Sequence, residues 1–68
     1  MTKISGHNKI AGEIIDIKKG EVACQVTIKA GENTIVSVIT TDSANDMGLK
    51  VGDRVVALIK ATEVMVMK

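Results

Sequence analysis

Residues 21 to 29 alternate without interruption: Val22, Cys24, Val26 and Ile28 fall on one face, and Glu21, Ala23, Gln25, Thr27 and Lys29 on the other. A period of two is the mark of a strand that buries one side. The stretches around it read the same way. Residues 9–17, Lys-Ile-Ala-Gly-Glu-Ile-Ile-Asp-Ile, are β-branched and form a preceding strand. Gly12 inside it marks a bulge, a bend or a close backbone approach. Lys18-Lys19-Gly20-Glu21 is a turn in which Gly20 can take a positive φ, and Ala30-Gly31-Glu32-Asn33 is the next turn. Residues 34–40 form a third strand with apolar side chains on both faces, Ile35 and Ile39 against Val36 and Val38. A strand with one wet face alternates more cleanly, so both sides are expected to be covered.

Residues 41–49 read as one or two helical turns, capped by Thr41 or Asp42 and closed by Gly48. The first turn of such a helix carries unpaired N–H groups that favour an anion. After a turn at 50–53, the fourth strand covers 54–60, where Val55, Ala57 and Ile59 alternate with Val56, Leu58 and Lys60. Lys60 stands at its tip, with Thr62 close behind. Residues 63–67, Glu-Val-Met-Val-Met, form a short fifth strand. The expected class is all-β: a five-stranded, partly open OB-like barrel with one short helical turn between strands 3 and 4. The strand pattern alone also fits an SH3-like barrel. Residues 1–68 read as a single domain, without repeat or linker.

Composition limits how such a barrel can be stabilised. The 68 residues include no Phe, Trp or Tyr, and a single cysteine, Cys24, excludes an intrachain disulfide. A core of Ile, Val, Leu, Met and Ala in so short a chain commonly needs a partner. With 46% hydrophobic residues the chain is too apolar for disorder, so a homo-oligomer is expected. Formal net charge is +1 with no basic block, and stacking aromatics are absent, which argues against nucleic acid. The N-terminus lacks an apolar signal region and no run reaches membrane-spanning length. These features and one unpaired cysteine point to the cytoplasm.

Catalytic patterns are missing. One histidine, His7, cannot build a usual metal site, and a surface histidine in a lead-in loop is a simpler account of it than catalysis. Ser5 or Ser43 has no nucleophile-elbow context, and no phosphate loop is present. Asp42, Asp46, Asp53 and Glu63 sit near element ends, where capping and turn roles explain them. Met47, Met65 and Met67 suit core or interface filling. What remains are donor-rich ends: Ser5-Gly6-His7, Thr40-Thr41-Asp42-Ser43, and Lys60 with Thr62. A lone lysine on a strand end is ordinarily a solvated side chain. Hydroxyls and N–H groups around one or two cations, however, suit a fully ionised tetrahedral oxyanion, which offers only acceptors. The sequence leads us to expect that the fold brings these ends together.

Three stretches closely resemble the molbindins, or Mop proteins: residues 4–12 (Ile-Ser-Gly-His-Asn-Lys-Ile-Ala-Gly), residues 37–49 (Ser-Val-Ile-Thr-Thr-Asp-Ser-Ala-Asn-Asp-Met-Gly-Leu), and Gly52-Asp53 followed by residues 57–64 (Ala-Leu-Ile-Lys-Ala-Thr-Glu-Val). The segments keep the family order and span essentially the whole chain. The resemblance implies an OB-like barrel in a hexamer, a trimer of dimers, that stores or buffers molybdate or tungstate between subunits without catalysis. No catalytic cofactor is implied, and molybdenum is bound only as the oxyanion. By the same resemblance the anion contacts are Ser5 and His7 in the family's S-x-R-N motif, Thr40 and Ser43 at the helical turn, and Lys60, Ala61 and Thr62 at the strand end. His7 occupies a position where the family commonly has arginine. An imidazole loses its charge as pH rises through about 6.5, so a His7 contact predicts weaker binding at high pH. An affinity flat from about pH 6 to 8 contradicts that contact. The resemblance leaves two rivals to weigh: a purely structural oligomerisation module and an OB-type nucleic-acid-binding domain.

Overall fold

The computed structural model describes residues 8–68. Strands β1 (Asn8–Lys19), β2 (Ala23–Ala30) and β3 (Asn33–Thr40) lead into helix α1 (Thr41–Met47), then strand β4 (Arg54–Ile59) and a 3₁₀ turn (Ala61–Glu63). The four strands form one antiparallel sheet in the order β3-β2-β1-β4. It curls into a half-barrel around a small core.

β1 is the strand the others share. Its first half pairs with β4, from Asn8 opposite Ile59 to Glu13 opposite Arg54. Its second half pairs with β2, from Glu13 opposite Lys29 to Lys19 opposite Cys24. Two residues make that change of partner possible. Gly12 is buried, and a Cβ there would lie 2.6 Å from Ile28 Cγ2 and 2.7 Å from the Lys29 carbonyl oxygen. Of the three sequence-level options for Gly12, close backbone approach is the one realised. The bulge lies three residues on, between Ile14 and Asp16. The extra residue switches the inward phase, so Ile14 and then Ile17 face the core while Ile15 is exposed.

The core consists of Ile14, Cys24, Val26, Ile28, Ala44 and Ala57, with Ile17, Ile35, Ile39, Leu49 and Val55 packed against it. Cys24 is a free, buried thiol. The loop after α1 docks on the centre of β1: the Gly52 N–H donates to the Ile14 carbonyl at 2.8 Å and the Ile14 N–H to the Asp53 carbonyl at 2.9 Å. Asp53 also accepts from the Lys50 N–H at 3.1 Å, the turn role expected of it.

Several expectations are corrected. Residues 64–68 form no strand, so the sheet has four strands, not five. A short apolar segment becomes a strand only beside an edge that pairs with it, and Met65, Val66 and Met67 stay 93–96% exposed. On β3, Ile35 and Ile39 pack inward, while Val36 and Val38, on the face whose cover was expected to come from an oligomer, are 58% and 67% exposed in the single protomer. β2 begins at Ala23, so Val22 drops out of the buried face and lies exposed in the bend before it. Gly20 has no positive φ; Gly31, at +64°, supplies it in the β2–β3 turn. Met47 is 61% exposed, so of its two expected roles, core or interface, it does not fill the core of the protomer.

Candidate functional site

Thr40 ends β3 and begins α1. Its extended backbone, φ −70° and ψ 146°, makes it the N-cap, one residue before the expected Thr41. Its Oγ1 accepts from the Ser43 N–H at 3.1 Å and donates to Ser43 Oγ at 2.8 Å. The Ser43 hydroxyl proton is then left unused by Thr40, and the side chain is exposed. Gly48 closes the helix in the left-handed region, φ 62°, as expected. Beneath these hydroxyls the helix is tied down. Thr41 Oγ1 donates to the Gly20 carbonyl, and Lys19 Nζ to Asn45 Oδ1, each at 2.8 Å. The Thr41 N–H donates to the Val22 carbonyl at 2.9 Å, and Ala44 is buried in the core. A seven-residue helix cannot hold its place by propensity, and these contacts supply the hold.

The second donor group follows β4. The strand stops at Ile59, one residue short of the expected end, and Lys60 caps a 3₁₀ turn with φ −65° and ψ 139°. The Glu63 N–H donates to the Lys60 carbonyl at 2.9 Å, so Lys60, Ala61 and Thr62 stand on a closed turn. All three side chains are exposed. Asn8, the last position of the S-x-R-N motif and given no role from sequence, donates from Nδ2 to the Ile59 carbonyl at 3.2 Å.

These two groups are not brought together in one protomer. Thr40 lies opposite Ala23, beside the Lys19–Cys24 pair at one end of β1, while Lys60 follows Ile59, opposite Asn8 at the other. β1 has 12 residues, a length that spans up to about 36 Å when straight. Ser5 and His7 lie outside the described residues. Among the described residues, no three His, Cys, Asp or Glu side chains gather as for a metal ion.

A cleft of about 410 Å³ opens between the edge strands β3 and β4. Its walls are apolar, with Ile28 and Ile35 on one side and Val55 and Leu58 on the other, and among the described residues none of the candidate anion contacts lines it. An apolar cleft suits packing, whereas a dianion needs donors. Donor groups and apolar surface therefore occupy separate places: donors at the strand ends, apolar surface along the sheet edges.

A curled antiparallel half-barrel with one short helix is consistent with an OB-like fold. Comparison with known proteins places it more narrowly. A family model described as the TOBE domain matches residues 4–66. Molybdenum-pterin-binding protein 1 of Clostridium pasteurianum is 38% identical over 65 residues, covering 94% of this chain and 96% of that protein. The structure is similar to that of a molybdate-binding protein from Sporomusa ovata, with a TM-score of 0.93, 42% identity, and coverage of 98% of this chain and 100% of the other. It is also similar to MopII from Clostridium pasteurianum in an apo form, with a TM-score of 0.91, 36% identity, and coverage of 97% and 100%. The chain belongs to the TOBE-domain family of Mop proteins.

Proposed function

We propose that this chain, as one Mop domain over residues 1–68, binds molybdate or tungstate as a non-enzymatic oxyanion store or buffer in the cytoplasm. The observation that carries this reading is the pair of exposed donor groups, Thr40 with Ser43 and Lys60 with Ala61 and Thr62, in a chain 42% identical to a molybdate-binding protein. Ser5 and His7 complete the proposed set. Because the two groups sit at opposite ends of β1, one anion is served by donors from different subunits. A homo-oligomer, in the family arrangement a hexamer built as a trimer of dimers, provides that geometry. The apolar cleft, the bare outer face of β3 and the exposed tail support such an assembly, since an isolated protomer leaves them all in water.

The chemistry favours a fully ionised tetrahedral anion. Hydroxyls, N–H groups and an ammonium offer protons to molybdate, which has none of its own at neutral pH. Hydrogen phosphate brings a proton that meets no acceptor, a buried mismatch that costs about 1–3 kcal/mol. Sulfate is also unprotonated, so its rejection rests on cavity size. Neither nucleic acid nor membrane is a partner in this reading, and no helix among the described residues is long and apolar enough to cross a membrane.

Calorimetric titration of the wild-type protein and Lys60→Ala with molybdate, tungstate, sulfate and phosphate tests the assignment. A charge-assisted hydrogen bond contributes about 1.5–3 kcal/mol, so Lys60→Ala is expected to weaken molybdate binding by at least about tenfold. Wild-type affinity in that variant refutes the role given to Lys60.

A further inference from the structure

Asn8 opens β1 opposite Ile59, the last residue of β4. It is half-buried, and its Nδ2 donates to the Ile59 carbonyl at 3.2 Å. That carbonyl belongs to the same planar peptide unit as the Lys60 N–H. Holding one end of a rigid plane fixes its rotation, and with it the direction in which the Lys60 Cα leaves the strand. On the far side, the Glu63 N–H holds the Lys60 carbonyl at 2.9 Å. Lys60 is thus gripped through both of its flanking peptides while its side chain stays exposed. The Asn8 contact spans 51 positions in sequence and joins the two strands where their ladder ends. Without it, the last rung of β1–β4 frays and the Lys60–Thr62 turn loses its anchor.

We propose that Asn8 is a positioning residue for the oxyanion site. It locks the Ile59–Lys60 peptide so that the turn presents Lys60 and Thr62 in a single arrangement. The proposal rests on the reading that Lys60 contacts the anion, and the test separates the two. Molybdate is titrated into wild-type assembly, Asn8→Leu, Asn8→Gln, Lys60→Ala and the Asn8→Leu/Lys60→Ala double variant. One hydrogen bond's net contribution predicts about a three- to tenfold loss of affinity in Asn8→Leu. Asn8→Gln, which keeps the amide donor, recovers most of it. In the Lys60→Ala background, Asn8→Leu adds no further loss, because residues acting through one another are not additive.

A second readout needs no anion. In the ligand-free protein, Asn8→Leu shifts the Lys60 backbone amide resonance and leaves that of Ser43 in place. An unmoved Lys60 amide, unchanged molybdate affinity in Asn8→Leu, or an equal loss with and without Lys60 overturns the positioning role. Full affinity in Lys60→Ala alone overturns the site reading beneath it, and does so before Asn8 is touched.

Discussion

Thr40 serves the fold and the proposed site with one hydroxyl. Its oxygen accepts the Ser43 N–H while its proton goes to Ser43 Oγ, so replacing it removes a helix cap and disturbs a donor. Thr40→Val is expected to lower stability by about 1 kcal/mol, the usual worth of a cap. For a domain of this size that is a fall in Tm of about 4–8 °C, measured by thermal unfolding without anion. Thr40→Ser is expected to stay near wild type; equal losses in both variants contradict the capping account. At this scale the sequence was informative where partners are close along the chain. Thr40 and Ser43 are three residues apart, and the Lys60–Thr62 turn is local. Asn8 falls on the last position of the S-x-R-N motif, but its role was unreadable because its partner is 51 residues away.

Among the elements, β1 bears the most constraint, and Gly12 is its narrowest point. A methyl group there meets Ile28 and the Lys29 backbone at 2.6–2.7 Å, and backbone cannot rotate aside as a side chain can. Gly12→Ala is expected to destabilise by about 1–3 kcal/mol, the range for overpacking, read as a shift in the denaturant midpoint. An unchanged midpoint contradicts the close approach. The isolated glycine inside a strand pattern announced this position, though not which of its three meanings applied. The bulge at Ile15 gave no such signal. Ile14, Ile15 and Ile17 are all apolar, so the side chains that reveal a phase change read the same on either side of it. The helix was legible because its C-cap glycine is unambiguous; its N-cap was displaced by one because Thr40, Thr41 and Asp42 can all cap.

Across the whole molecule, the fifth strand expected at 63–67 shows where a sequence pattern and a single chain part company. The apolar run is real, but strand formation needs a neighbouring edge, and these residues pair with none in the sheet. The same holds for β3, whose two apolar faces predicted two-sided cover that one protomer does not give. In an assembly the tail is expected to be covered, so a chain ending at residue 63 should sediment as smaller species than the full chain; an unchanged sedimentation coefficient per subunit assigns the contacts elsewhere. The donor groups make the parallel case, since in the proposed site Thr40–Ser43 and Lys60–Thr62 share one anion across subunits. Native mass spectrometry of the full chain, with molybdate and with sulfate as the control, tests that claim most directly. The account predicts a hexamer that takes up discrete molybdate adducts and no sulfate. A hexamer indifferent to molybdate, or a monomer that binds it as tightly, contradicts a site built between subunits.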